Sequence, residues 1–243
     1  MELSKADIIA RLNQEILPLQ GYKPALQKNR PDLGLGLIEK SFPNQVFPLA
    51  AIHEFCCKEQ EDEAATGGFI SGLLSNILVN GGTTLWISSS PIVFPPALQY
   101  FGLRPEHFIF ISMQKEKDIQ WAMEEALKCG GLTAVIGEIK ELSFTASRRF
   151  QLAVENSNVT GFIIRRAPRQ LNTTASVTRW QIRSLPSETA DELPGIGFPR
   201  WQVDLLKVRN GKPGSWQMEW IGGKFRLIRN SATLLHQPQK KTG

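Results

Sequence analysis

Residues 132–166 constrain the fold more than any other stretch, because the pattern of their apolar residues changes twice. Residues 132–139 form an almost continuous apolar run, which is typical of a strand buried on both faces of a parallel sheet. From Thr145 onward, apolar side chains recur at helical spacing, and Gly161 to Ile164 form a second short apolar run. The stretch therefore predicts a right-handed strand-helix-strand crossover, the unit of an α/β fold with a mostly parallel sheet flanked by helices.

The preceding residues continue this alternation, and the following residues depart from it. The sequence predicts strands at 50–55, 83–88 and 107–111, and helices at 67–78, 95–101 and 117–128. After residue 165 it predicts only strands, most of them joined by short turns, at 176–184, 201–209, 215–221 and 224–228. These strands predict an antiparallel β extension at the C-terminal edge of the parallel sheet.

The distribution of proline, glycine and apolar residues predicts four segments. An amphipathic helix is predicted at 1–17, and a proline- and glycine-rich connector at 18–45. One domain is predicted at 46–230, followed by a disordered basic tail at 231–243. Two roles for the N-terminal helix remain open: it docks on a partner or a second copy, or it folds back onto its own domain.

Composition argues against export and membrane insertion. No apolar run approaches the roughly 20 residues that a membrane span needs. The N-terminus lacks the apolar block of a signal peptide. Three cysteines, two of them adjacent at Cys56 and Cys57, suit neither a disulfide framework nor a metal knuckle. We therefore expect a cytoplasmic protein without a membrane association.

The net charge of +5 conceals a strong asymmetry along the chain. Residues 160–243 contain 14 Lys and Arg against 5 Asp and Glu, whereas residues 1–159 contain 14 against 18. A basic C-terminal third suggests a polyanionic partner, of which nucleic acid is the commonest. The alternative is a basic surface that serves only solubility.

The basic third also predicts which side chains face outward. Alternation along the predicted strands places Trp180 and Ile182 inside and the neighbouring cations outside. Outward cations on strands can contact the phosphate backbone of single-stranded DNA, while exposed aromatic residues can stack on its bases. We predict that Trp180 belongs to the core. The candidate DNA-binding residues are Arg179, Arg183, Arg200, Lys207 and Arg209.

The region around Gly67 has the layout of a phosphate-binding loop without its chemistry. A strand, a predicted acidic loop at 56–66, and Gly67-Gly68 at the predicted start of a helix follow each other. A working loop needs G-x-x-x-x-G-K-[ST], whose lysine reaches the phosphates, and that lysine is missing. Glu138, at the carboxyl end of a central strand, is the one well-placed acid. The sequence suggests no nucleophile, metal site or cofactor.

Residues 47–220 resemble the RecA-like ImuA family, accessory proteins of damage-induced, error-prone translesion synthesis in the SOS response. The resemblance rests on long phrases in the family's order, namely FPLAAIHEF, ATGGF, WAMEEALKCGG, GEIKELSFTASRRFQLAVE, TRW and GFPRWQVDLLKVRNGKPGSWQMEW. It implies a RecA-like fold. It also implies an adaptor that works with an inactive Y-family polymerase homologue and an error-prone replicative-type polymerase. The basic C-terminal third adds single-stranded DNA to the expected partners, and the N-terminal amphipathic helix adds self-association.

The resemblance also implies a vestigial nucleotide site without ATPase activity. Gly68 and Phe69 stand where a RecA-type ATPase has the lysine and threonine of its phosphate loop. Ser90 lies near the position of the catalytic glutamate, and Glu138 near that of the second magnesium-binding acid. With Gly67, these residues form the predicted vestigial site. The alternatives are a SulA-type inhibitor that binds the tubulin-like division protein, and an unorthodox RecA-like ATPase.

Overall fold

The computed structural model describes residues 31–90, 92–187 and 197–228. Contacts divide the chain into units at residues 1–32 and 33–243, and the second contains the fold described below. The predicted N-terminal helix, the first part of the predicted connector and the predicted tail lie outside the described residues.

Nine strands form one mixed sheet in the order β3-β2-β4-β5-β1-β6-β7-β8-β9. The first six strands of that order are parallel, and β6 to β9 pair antiparallel with one another. The sheet is therefore mostly parallel with an antiparallel C-terminal extension, as predicted. The strands are β1 Ile52–Cys57, β2 Thr84–Ser88, β3 Phe108–Ser112, β4 Ala134–Ile139, β5 Thr160–Arg166, β6 Thr178–Leu185, β7 Arg200–Val208, β8 Gly214–Ile221 and β9 Lys224–Leu227.

In the described residues, three α-helices cover the sheet from both sides. The helix α1 (Gln60–Ile77) packs on one face, where its buried side chains join a large core that includes Trp180 and Trp201. The helices α2 (Glu116–Leu127) and α3 (Phe144–Ser157) pack on the opposite face around a second core. Short 3-10 helices occur at Gly36–Ser41, Pro43–Gln45, Pro95–Phe101 and Pro105–His107. None of the helices in the described residues is long and apolar enough to span a membrane.

The antiparallel extension buries only one of its faces. Along β6, buried residues alternate with partly exposed ones, and Trp180 and Ile182 are fully buried as predicted. Such alternation is the usual pattern where an antiparallel sheet has one face on the core and one in water. The polar side chains of β6, β7 and β8 consequently share one open face.

Part of the predicted connector belongs to the core. Leu33, Leu35, Ile38 and Phe42 are at most 3% exposed and pack in the same core as α1. This segment contains two short 3-10 helices, at Gly36–Ser41 and Pro43–Gln45. The proline- and glycine-rich composition did not indicate that apolar residues of this segment are buried.

Candidate functional site at the carboxyl edge of the sheet

The carboxyl end of β1 leads directly into α1, without a phosphate-binding loop. Only Lys58 and Glu59 separate the strand from the helix. The backbone N–H groups of both residues donate to the Asp62 carboxylate, at 3.1 and 3.4 Å. Acids in the first turn also suit the positive end of the helix dipole. The prediction of a loop at 56–66 is therefore wrong, because its acids form the first turn of a helix.

The glycines of the predicted vestigial site lie inside α1 and serve close packing. A Cβ atom on Gly67 would lie 3.2 Å from Val93, and one on Gly68 would lie 3.2 Å from the Trp201 ring. Phe69 is fully buried, with its ring centroid 5.0 Å from that of Phe225 on β9. These three residues connect α1 to the segment after β2 and to the antiparallel extension.

Glu138 lies at the end of β4 and is almost fully buried. Its Oε1 atom accepts hydrogen bonds from Trp86 Nε1 at 2.6 Å and from Ile92 N at 3.2 Å. Its Oε2 atom lies 3.4 Å from Nη1 of Arg166, the last residue of β5. Burial raises the pKa of Glu138, and the hydrogen bonds from Trp86 and Ile92 and the charge of Arg166 oppose that rise.

Arg166 connects this carboxylate to α1 and to the segment after β2. Its Nη2 atom pairs with Glu63 Oε2 at 2.8 Å, and its Nη1 atom donates to the carbonyl oxygen of Ser90 at 3.0 Å. The hydrogen bond to Glu63 raises the pKa of Arg166. The structure thus brings Ser90 and Glu138 together around a cation that the chain itself supplies.

A second buried network lies around Glu54 in the middle of β1. Its carboxylate accepts from Arg165 Nη1 at 2.9 Å, Arg179 Nε at 3.0 Å and the Thr174 hydroxyl at 2.6 Å. Glu54 and Arg165 are both completely buried. A buried ion pair is tolerated only when the remaining donors and acceptors are satisfied.

The donors of Arg165 join the two segments that follow β4 and β5. Its Nε atom donates to the carbonyl oxygen of Lys140, and its Nη2 atom donates to the Glu141 carboxylate and to the carbonyl oxygen of Gln170. Its Nη1 atom also donates to the side-chain oxygen of Asn172. The segments at 140–142 and 169–175 are therefore held together by a buried guanidinium.

The predicted DNA-binding cations have protein partners. Arg179, Lys207 and Arg209 donate to the backbone carbonyls of Asn172, Thr174 and Ala175, respectively, at 2.6 to 2.7 Å. Burial and the charges of Arg179 and Arg209 lower the pKa of Lys207. Arg183 and Arg200 pair with Asp204 and Glu219 on the same open face, at 2.8 and 3.3 Å. The side chain of Arg183 is half-exposed.

Sequence reasoning did not find Glu54, Glu63, Arg165 and Arg166. A signal was present, because buried strands rarely contain charges unless those charges are paired. Glu54 interrupts the apolar first strand, and the two arginines end the apolar run of the fifth. Glu63 had no comparable signal, because the acidic segment around it was assigned to a loop.

The described residues suggest neither a redox centre nor a metal site. Burial raises the pKa of the Cys56 and Cys57 thiols to about 12, so both remain protonated. No cluster of three His, Cys, Asp or Glu side chains that could hold a metal ion occurs within residues 31–90, 92–187 and 197–228.

The protein has a RecA-like fold. The RadB recombinase crystal structure superposes with a TM-score of 0.57, covering 82% of this chain and all of that chain at 12% sequence identity. The ImuA proteins of two strains of Caulobacter vibrioides are each 31% identical over 194 residues, covering 75% of this chain and 80% of theirs. The chain therefore belongs to the ImuA family. No family model matches it.

Proposed function

We propose that the protein is a non-catalytic accessory factor of damage-induced, error-prone translesion synthesis. Membership of the ImuA family supports this role, and the RecA-like fold supports a link to DNA metabolism. The protein acts as an adaptor for an inactive Y-family polymerase homologue and an error-prone replicative-type polymerase, and it contacts DNA. Its place of action is the cytoplasm.

The observation that carries the non-catalytic role is the position of Arg166. Its guanidinium bridges Glu63 and Glu138 at the carboxyl edge, where open α/β sheets bind their ligands. A magnesium ion bound to a triphosphate would compete with this internal cation for the same carboxylates. The two-residue connection between β1 and α1 also offers too little backbone to surround phosphates.

Calorimetry with magnesium and ATP tests the absence of nucleotide chemistry. We expect no binding at physiological ATP concentration and no phosphate release. The Glu138→Ala variant is the control for any signal, because it removes the buried carboxylate of the edge. Tight magnesium-dependent binding that this variant abolishes would return the protein to the ATPases.

Co-purification from cells treated with a DNA-damaging agent tests the adaptor role. We expect the tagged full-length chain to retain both polymerase partners, before and after ATP is removed with apyrase. Recovery of the tubulin-like division protein in their place would support the SulA-type alternative. Loss of the polymerases on apyrase treatment would contradict a nucleotide-independent adaptor.

A further inference from the structure

The cations selected from the sequence are engaged within the protein, and a different group of cations is available to a ligand. Lys140, Arg148 and Arg169 have exposed side chains. Within the described part of the chain, no carboxylate lies within salt-bridge distance of these three side chains. An exposed cation without an internal partner gains more from a phosphate than one that must first leave a carboxylate.

These cations lie on segments that meet at the start of α3. The segments that contain Lys140 and Arg169 are in contact, because Arg169 N donates to the Glu141 carboxylate at 3.0 Å. Arg148 lies in the second turn of α3, which begins directly after the first of these segments. The side chain of Ser147 accepts a hydrogen bond from Ala175 N at 2.9 Å, so this flank of α3 adjoins the second segment.

The same surface exposes an aromatic ring. Phe144 is 55% exposed although it begins a helix whose other apolar residues are mostly buried. It precedes Arg148 by four residues, so the ring and the guanidinium lie on the same side of α3. Arg149 pairs with Glu124 on α2 and therefore belongs to a different flank. The ring is available for stacking beside a cation.

The acids of this surface are already engaged. Glu141 accepts from Arg165 Nη2 and from Arg169 N. Glu116 accepts from the backbone N–H groups of Lys140 and Glu141, at 2.9 and 2.7 Å. Arg165 thus neutralises Glu141, whereas Glu116 is held only by backbone N–H groups, and the three exposed cations outnumber these two acids.

The backbone under this surface is fixed by the Glu54 network. The buried Arg165 donates to the segments at 140–142 and 169–175. Asn172 Nδ2 donates to the carbonyl oxygen of Leu142 at 2.8 Å. Preorganised groups lose less entropy when a ligand binds. The internal hydrogen bonds thus preorganise the backbone of this surface.

We propose that Lys140, Phe144, Arg148 and Arg169 form a binding surface for single-stranded DNA. The cations contact about three phosphates, and the Phe144 ring stacks on one exposed base, which a duplex does not offer. This inference rests on the DNA contact in the proposed function. It transfers that contact from the strands of the extension to the start of α3.

Fluorescence anisotropy of a labelled oligothymidylate with the full-length protein tests the assignment. The double variant Arg148→Glu/Arg169→Glu is expected to bind at least about tenfold more weakly at low salt. Its log-log salt dependence is expected to be shallower by about 1.4, since each single-strand phosphate contact contributes about 0.7. Phe144→Ala is expected to bind about 5- to 140-fold more weakly at an unchanged salt slope.

The matched control is Lys212→Glu/Lys224→Glu, which makes the same change in charge at exposed residues of the extension. It is expected to bind almost as the parent protein does. Equal losses in both double variants would overturn the assignment, because net charge alone would then explain binding. A selective loss in Arg183→Glu would also overturn it, in favour of the strand cations.

Two further outcomes separate this inference from the adaptor role. If the parent protein does not bind the oligonucleotide at low salt, both this surface and the proposed DNA contact are wrong, while the co-purification still tests the adaptor role. If Arg148→Glu/Arg169→Glu loses a polymerase partner but retains DNA, the surface binds an acidic protein and the inference is overturned. Unchanged thermal unfolding of every variant is required, and the exposure of these side chains leads us to expect it.

Discussion

His53 is a buried polar residue that serves the fold and not the site. Its Nε2 atom donates to the carbonyl oxygen of Pro48 at 2.8 Å, and its Nδ1 atom lies 2.7 Å from the Thr178 hydroxyl. Its ring stacks on Phe47 at a centroid distance of 4.3 Å. Because the only acceptor site left to the neutral ring is Nδ1, the Thr178 hydroxyl donates to it. Burial lowers the pKa of His53 to about 3, and the bond to Pro48 opposes that shift.

Because the pKa of His53 is lowered on folding, we predict that the free energy of unfolding falls as the solution becomes acidic. The unfolded chain takes up the proton below a pKa of about 6.5, whereas folded His53 stays neutral down to a pKa of about 3. Its contribution is thus complete above about pH 6.5 and is lost as the pH falls towards 3. The free energy of unfolding should decrease by about 1.4 kcal/mol per pH unit in this window. Urea unfolding at pH 7, 6 and 5 measures it, above the range in which most carboxylates titrate.

Two variants isolate the source of this pH dependence. His53→Gln should be less stable at pH 7 but should have a shallower dependence, because no imidazole remains to be protonated on unfolding. His107→Gln, at a half-buried residue before β3, should retain the parent dependence. A parent slope that persists in His53→Gln would show that another group is responsible.

At the scale of elements, α1 connects the parallel sheet to the antiparallel extension through its glycines. A Cβ atom on Gly72 would lie 2.6 Å from Cζ of Phe225 and 3.0 Å from Cζ3 of Trp220. On Gly67 it would meet only Val93 at 3.2 Å and Ile92 at 3.6 Å, and both are half-buried. Gly67 was predicted from the sequence to be part of a nucleotide site, but its close approach to Val93 makes it a packing residue.

We predict opposite effects for alanine at these two glycines. Gly72→Ala should lower the free energy of unfolding by about 1–3 kcal/mol, because overpacking against buried aromatic rings exceeds the gain in helix propensity. Gly67→Ala should be neutral or stabilising by up to about 1 kcal/mol, because a half-buried valine can move and alanine favours the helix. Chemical unfolding of both variants measures the difference. A Gly72→Ala variant as stable as the parent protein would contradict the close approach of α1 to β9.

Elements with one dominant pattern could be predicted from the sequence. The helical spacing after Thr145 and the apolar run before it gave the central crossover, since burial alone determines that pattern. The start of α1 could not be predicted. Asp62 caps this helix, but the acidic residues around it are equally typical of a solvated loop. The Arg166 pairing also required three-dimensional information. Its partners come from β4 and from α1, and only the strand order brings them together.

At the scale of the whole molecule, the cations that are available to a ligand differ from those that the charge asymmetry of the sequence indicated. The basic C-terminal third predicted an open cationic surface, but Arg179, Lys207 and Arg209 bind carbonyls of the chain. Their role is to hold residues 172–175 against the open face of the sheet. Arg148 has no carboxylate partner among the residues that the structure describes, and it belongs to the acidic first part of the sequence. A count of charges along the chain therefore does not show which cations are available to a ligand.

The N-terminal boundary of the folded unit also concerns the whole molecule. The sequence placed it at residue 46, whereas the division by contacts begins the unit at Leu33. Four side chains between these points are buried in the large core, namely those of Leu33, Leu35, Ile38 and Phe42. Burial of such side chains contributes about 1.5–3 kcal/mol each, hence about 6–12 kcal/mol together. That sum is comparable to the net stability of a typical domain, about 5–15 kcal/mol.

Two truncations therefore test whether the folded unit begins at residue 33 or at residue 46. The fragment 33–243 should unfold in one cooperative thermal transition, whereas the fragment 46–243 should have no cooperative transition, because it lacks the four buried side chains. Ile38→Ala within 33–243 is the graded control, since a single cavity should cost about 2–5 kcal/mol and lower the transition temperature without abolishing it. Circular dichroism during heating distinguishes the three proteins. A cooperative transition of 46–243 at the temperature of 33–243 would place the boundary at residue 46. Loss of the transition in 33–243 would instead show that residues 1–32 are required for folding.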